Sequence, residues 1–226
     1  MPSLPPFFFD LDGTLADSAG GIASSLDHAI RTVIGGHFVE DWRAFIGPPV
    51  EVCIARALPH LDSSVIPVVV REFRRHYDSE GFRMTTAFPG AYDVLAALAT
   101  RGHAAYIVTN KPFHVASAVV AHLGLDRHVR RIVGGDTHFG DPAGAEVSKA
   151  DRAARLCGEA GIRGGIFVGD GPDDLHAAER IGARFLLAAW GYGATRVIAE
   201  RPMVERVGRL DDLLDRLAAT VGGTAG

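Results

Sequence analysis

The chain is 226 residues long, 47% hydrophobic and 22% charged, which allows one sizeable core and leaves room for a second small module. Its formal charge of −4 argues against a nucleic-acid partner, since such proteins need a basic face, and no apolar run approaches the ~20 residues that span a bilayer. Cys53 and Cys157 stand alone, the ten histidines form no metal-binding spacing and no basic-then-apolar leader opens the chain, so a cytoplasmic protein without a zinc site is expected.

The first predicted element is a strand at residues 7–10. Three consecutive phenylalanines suit a strand buried on both faces, yet it runs straight into Asp10-Leu11-Asp12-Gly13-Thr14. Crowding two carboxylates there is costly unless a cation or a proton compensates. From Ser18 to Phe88 the pattern turns helical. Ile22, Leu26, Ile30 and Val33 share one helical face that ends at Gly35-Gly36, a turn at Gly47-Pro48-Pro49 precedes a second helix, and Pro67 opens a third. No strand stands out in this stretch. Residues 18–87 therefore read as a helical module inserted after the first strand, with residues 1–17 and 88–226 forming the main domain.

Beyond Phe88, apolar runs at 104–110, around Ile132, at 165–170 and at 184–190 read as strands. Between them lie helical patterns: one closed by Gly102, one with Pro112 in its first turn and closed by Gly124, one opened by Lys149, and one starting at Pro172. Alternating strands and helices predict βαβ units and a parallel sheet. The last residues, Thr220–Gly226, are expected to fray.

Ligands of parallel α/β sheets bind beyond the carboxyl ends of the strands. Those ends carry Asp10 and Asp12, then Thr109-Asn110-Lys111, then Asp170 with Asp173 and Asp174 entering a helix. If the strands are neighbours, carboxylates, a hydroxyl, a lysine and helix N-termini converge. Clustered carboxylates with few competing nitrogens or sulfurs suit Mg²⁺, and the hydroxyl, the lysine and free backbone N–H groups suit phosphate oxygens. A carboxylate in line with a bound phosphorus is a nucleophile, and an acid two residues on can protonate the leaving group. Of 23 basic side chains only Lys111 and Lys149 are lysines. Lysine is a compact point charge where arginine is a planar fork, so both positions draw notice; Lys111 reads equally well as a site residue or as a surface lysine at a helix start.

Phe7–Ser18 (FFFDLDGTLADS) resembles the first motif of the haloacid-dehalogenase-like phosphatases, IVTN up to Asn110 the second, Lys149 the third, and VGDGPDDLHAAERIG from Val168 the fourth. FIGPP at 45–49, AFPGAYDVLAAL at 87–98 and AAWGYG at 188–193 resemble the phosphoglycolate-phosphatase-like branch with a helical cap. The sequence departs from the family where Ala150 follows Lys149 in place of a common proline, and Asp141-Pro142 is a displaced echo without a lysine. The resemblance implies an α/β fold, a Rossmann-like three-layer parallel sheet domain with an inserted helical cap. It implies Asp10 as nucleophile, Asp12 as general acid then base, and Thr109 and Lys149 holding the phosphoryl group, with Gly13 and Asn110 beside it. Gly47 and Pro48 of the cap loop would meet substrate. Asp10, Asp12 through its carbonyl, Asp170 and Asp174 would hold Mg²⁺, and the choice between Asp173 and Asp174 stays open.

The expected activity is Mg²⁺-dependent hydrolysis of a small phosphorylated metabolite through an aspartyl-phosphate, phosphoglycolate first. A nucleotidase or pyrophosphatase of the same family, or a sugar phosphomutase, is the alternative. A monomer or weak homodimer, with neither nucleic-acid nor membrane partner, is expected. Arg71, Arg74 and Arg75 share one side of the third inserted helix, either as a substrate grip or as a solvated basic face.

Overall fold

The computed structural model describes residues 4–36, 39–137 and 147–215. Asp141-Pro142 and the tail from Thr220 lie outside them. The chain divides into two compact units, Met1–Ala16 with Ala87–Gly226, and Asp17–Thr86. In chain order, β1 (Phe7–Phe9) leads to β2 (Ala16–Asp17), then α1 (Ala19–Val33), α2 (Val50–Ala57), α3 (Ile66–Ser79) and β3 (Thr86–Ala87). The chain continues through α4 (Ala91–Thr100), β4 (Ala105–Val108), α5 (Phe113–His122), β5 (Arg131–Val133), α6 (Lys149–Ala160), β6 (Ile166–Gly169), α7 (Pro172–Ile181), β7 (Arg184–Ala188), α8 (Ala194–Glu200) and β8 (Arg206–Val207).

Six strands form one sheet in the order β5-β4-β1-β6-β7-β8, every pairing parallel. The chain starts at the centre, winds outward through β4 and β5, then returns to the other side of β1 as β6. The reversal between β1 and β6 is the switch point of a Rossmann-like sheet, where a crevice opens at the carboxyl ends. β1 is central and covered on both faces: Phe7, Phe8 and Phe9 are all essentially inaccessible. Side chains alternate across a strand, so Phe8 stacks with Tyr106 and Phe167 on one face, in a core shared with Leu156 of α6 and Ala178 of α7. Phe7 and Phe9 stack with each other on the opposite face.

Three details differ from the sequence reading. Pro112 caps α5 from outside, in extended backbone, instead of filling its first turn. β2 and β3, two residues each, pair as a two-stranded sheet at the two chain crossings between the units, and β8 adds a sixth strand to the main sheet. None of the three is long enough to show a period of two.

The second unit is helical. α1 packs on α3 through Leu26, Ala29 and Ile30 on one side and Val69, Val70, Phe73 and Tyr77 on the other, all buried. Cys53 of α2 donates its thiol to the carbonyls of Phe45 and Pro48 at 2.9 and 3.3 Å, fastening the loop that carries Gly47 and Pro48. Arg74 pairs with Glu51 and Arg75 with Glu72 in this same unit. Among the described residues no helix is long and apolar enough to cross a membrane.

Candidate active site

The site grows from the ends of β1, β4 and β6. β1 delivers Asp10, and the chain turns at once: the N–H groups of Thr14, Leu15 and Ala16 all donate to the Leu11 carbonyl. The turn needs glycine at position 13. Its φ is +83°, and a β-carbon there would lie 2.5 Å from Asp170 Oδ2. β6 delivers Asp170, whose Oδ2 accepts from the Gly193 N–H at 2.7 Å. Gly191 lies so close that a β-carbon would overlap both Asp170 Cβ and the Gly13 carbonyl oxygen. In the same segment Trp190 Nε1 donates to the Thr14 carbonyl at 3.2 Å.

Asp173 and Asp174 part ways at the start of α7. Asp174 is buried, and its Oδ2 accepts from the Gly171 N–H at 2.9 Å. Asp173 lies at the surface and accepts from Asn110 Nδ2 at 2.8 Å. Lys149 opens α6 after the N-cap Ser148, and its Nζ donates to Asp10 Oδ1 at 2.8 Å and to Asp174 Oδ1 at 2.7 Å. Lys111 Nζ lies 3.0 Å from Asp12 Oδ2. Thr109 is buried, its hydroxyl accepting from the Lys111 N–H at 3.2 Å. Thus Asp10, Asp12, Gly13, Thr109, Asn110, Lys149, Asp170 and Asp174 share one unit, while Gly47 and Pro48 belong to the other.

The electrostatics are unbalanced. Asp10, Asp170 and Asp174 each offer a carboxylate oxygen within 4.8 Å of the others, all three are buried, and one lysine stands among them. Burial, then the charge of Asp174, pushes the Asp10 carboxyl up to about 7 in spite of Lys149. Burial, then Asp10, pushes Asp170 up to about 6, and burial raises Asp174 as well. Burial works against the Lys149 charge, but the two carboxylates outweigh it and hold its pKa above the usual lysine value. Asp10 and Asp170 each have one oxygen bonded to a donor and keep a second for a cation, whereas both oxygens of Asp174 accept, Oδ1 from Lys149 and Oδ2 from the Gly171 N–H. A hard divalent ion that prefers oxygen ligands fits this donor set.

A stability consequence follows. Carboxyls whose pKa is raised by folding contribute stability that is present below their unfolded value near 4 and is lost as pH climbs through 6 to 7. Metal-free protein is therefore expected to melt about 5 °C or more lower at pH 8 than at pH 5, and Mg²⁺ to restore more at pH 8 than at pH 5. Thermal melts at both pH values, with and without Mg²⁺, check this; an equal effect of Mg²⁺ at the two would speak against a cation among these acids.

Two contributors were given no site role by the sequence reading. Arg152, one turn beyond Lys149, is buried and donates to Asn110 Oδ1 at 2.7 Å, to the Thr109 carbonyl at 3.3 Å and to the Val147 carbonyl. The Gly191–Gly193 segment carries Asp170, and its signal was two glycines directly after a strand.

Fold and cluster together define an α/β enzyme with a carboxylate centre at the switch point of its sheet. The family model described as haloacid dehalogenase-like hydrolase matches residues 7–188. A 5'-nucleotidase of Pseudomonas aeruginosa is 30% identical over 193 residues, covering 84% of this chain and 85% of that one. Phosphoglycolate phosphatase 1 of the same organism is 30% identical, covering 95% and 83%. Tyrosine-protein kinase PtkA of Mycobacterium tuberculosis is 31% identical, covering 92% and 71%; its solved structure aligns with a TM-score of 0.77 at 29% identity, over 96% of this chain and 99% of that one. The chain belongs to the haloacid dehalogenase-like hydrolases, in their phosphoglycolate-phosphatase-like branch, and is a phosphatase of that family.

Proposed function

We propose that the protein is a Mg²⁺-dependent phosphomonoester hydrolase working through an aspartyl-phosphate, with phosphoglycolate as the first candidate substrate. The observation that carries this reading is the buried trio Asp10, Asp170 and Asp174 around the single charge of Lys149. The second oxygens of Asp10 and Asp170, with the Asp12 carbonyl, would hold the ion, and Asp174, whose two oxygens accept from Lys149 and the Gly171 N–H, would stand behind it and reach it through water; the ion when bound supplies charge to screen the phosphate oxygens from these acids.

In this reading an Asp10 carboxylate oxygen attacks phosphorus, the new P–O bond forms as the bond to the leaving oxygen breaks, and Asp12 gives that oxygen its proton. Asp12 then takes a proton from water, the water oxygen attacks the same phosphorus, and Asp10 departs as carboxylate with phosphate released. Lys149 is placed to keep Asp10 ionised and aimed. Thr109 and Asn110 stand at the neighbouring strand end, and Gly13 lets the backbone approach. For Gly47 and Pro48 we retain contact with the leaving group as a proposal. The substrate is a small phosphorylated metabolite, and cytoplasmic residence agrees with Cys53 and Cys157 being buried thiols in no disulfide.

The relative named 5'-nucleotidase favours a second reading, with a nucleoside monophosphate as substrate. A phosphate-release screen over metabolites with and without Mg²⁺ decides. Phosphoglycolate is expected to give the highest kcat/KM, a nucleoside monophosphate leading would install the second reading, and transfer from ATP to a tyrosine peptide without phosphate release from any ester would overturn both.

A further inference from the structure

Both lysines of the chain end on carboxylates of one centre: Lys149 on Asp10 and Asp174, Lys111 on Asp12. The first belongs to the proposed chemistry; the second has no role there. Lys111 is no ordinary surface lysine, because its side chain is only 8% exposed while the Asp12 side chain is 24% exposed. The two oxygens of Asp12 differ sharply. Oδ2 faces the Lys111 ammonium at 3.0 Å, whereas Oδ1 is buried and accepts no hydrogen bond. A buried carboxylate oxygen left without a donor is unfavourable, and such atoms in native proteins call for an explanation in function.

The loop that carries Lys111 is tied from several sides. Its N–H donates to Thr109 Oγ1 at 3.2 Å, and its carbonyl accepts from the Gly135 N–H at 2.9 Å. The preceding Asn110 is held between Arg152 and Asp173. The ammonium is thus delivered from a fixed backbone. A carboxylate is free to rotate about its last torsion unless one oxygen is anchored, and a misplacement of about 1 Å in a reacting group can cost roughly 10²-fold in rate.

We infer that Lys111 is a positioning residue: it clamps Oδ2 of Asp12, so that Oδ1 is the oxygen that gives and takes the proton. This explains why a chain that otherwise uses arginine for positive charge keeps lysine here. A compact ammonium can cap one oxygen from a nearly closed slot, while a guanidinium fork tends to engage both. The inference rests on Asp12 being the general acid, and the test separates the two.

Lys111→Met is expected to lower the first-turnover rate for an alkyl phosphate about 10- to 100-fold, with KM within about threefold, while the first-turnover rate for p-nitrophenyl phosphate, which needs little protonation, falls by less than about threefold. In an Asp12→Asn background the same change is expected to add no further loss, since the group it positions is already gone. Lys111→Gln, which keeps a donor without the charge, is run beside it so that a folding defect in one variant does not decide the result; it should fall between wild type and Lys111→Met. Parallel losses of first-turnover rate on both substrates, a raised KM at unchanged rate, or an undiminished loss in the Asp12→Asn background would overturn the clamp. If Asp12→Asn itself shows no leaving-group preference, the acid role of Asp12 fails and the clamp with it. If Asp12→Asn shows that preference and Lys111→Met does not, the clamp alone is refuted.

Discussion

Asp10→Asn is expected to lose at least ~10³-fold in turnover, roughly 4 kcal/mol of barrier, and to keep its fold. An amide is a poor nucleophile and a weaker ligand for a hard cation. Size and shape are nearly unchanged, and the amide oxygen can still accept from Lys149, which now lies 2.8 Å from Asp10 Oδ1. The variant also removes one of three crowded buried acids, so metal-free Asp10→Asn should melt no lower than wild type at pH 8. Steady-state rates with Mg²⁺ and a thermal melt check both halves. Activity within tenfold of wild type would remove Asp10 from the nucleophile's role.

Asp12→Asn is expected to divide substrates by their leaving groups. An alkyl phosphate leaves as a poor alkoxide unless protonated, so its rate should fall about 10²- to 10⁴-fold. p-Nitrophenolate departs without help, so its first step should be affected far less; any remaining loss reflects the base role of Asp12 toward water. Burst kinetics separate the two: the aryl substrate should show a fast first turnover followed by slow hydrolysis. Equal factors on both substrates with no burst would leave Asp12 without acid function.

The parallel sheet was legible because its inner strands are strongly apolar and end in punctuated helix starts. Phe7–Phe9, the run before Thr109 and the run before Asp170 could be placed from sequence; β2, β3 and β8, two residues each, could not. Gathering Asp10, Asp170 and Lys149 at one point was legible from the chemistry of strand ends, given neighbouring strands. The Asp173–Asp174 choice was not, because it depends on helix phase at the first turn of α7: position 174 turns inward to the Gly171 N–H, and position 173 turns out to Asn110. Lys111 was ambiguous for a related reason, since only the packing of the β4 end against the β1 turn shows its ammonium meeting Asp12. Arg152 carries no sequence signal at all. Its value comes from four carbonyl and amide oxygens that tertiary folding gathers around it.

The central claim is that phosphorus passes through a covalent bond to Asp10. Acid quench of the enzyme within the first turnover of a fast aryl phosphate, followed by peptide mass analysis at low pH, tests it most directly. The account requires one added phosphoryl group on the peptide spanning Phe7–Ser18, located on Asp10, present in wild type, accumulating further in Asp12→Asn and missing in Asp10→Asn. A phosphoryl group on another residue, or full turnover with none trapped in either wild type or Asp12→Asn, would contradict it.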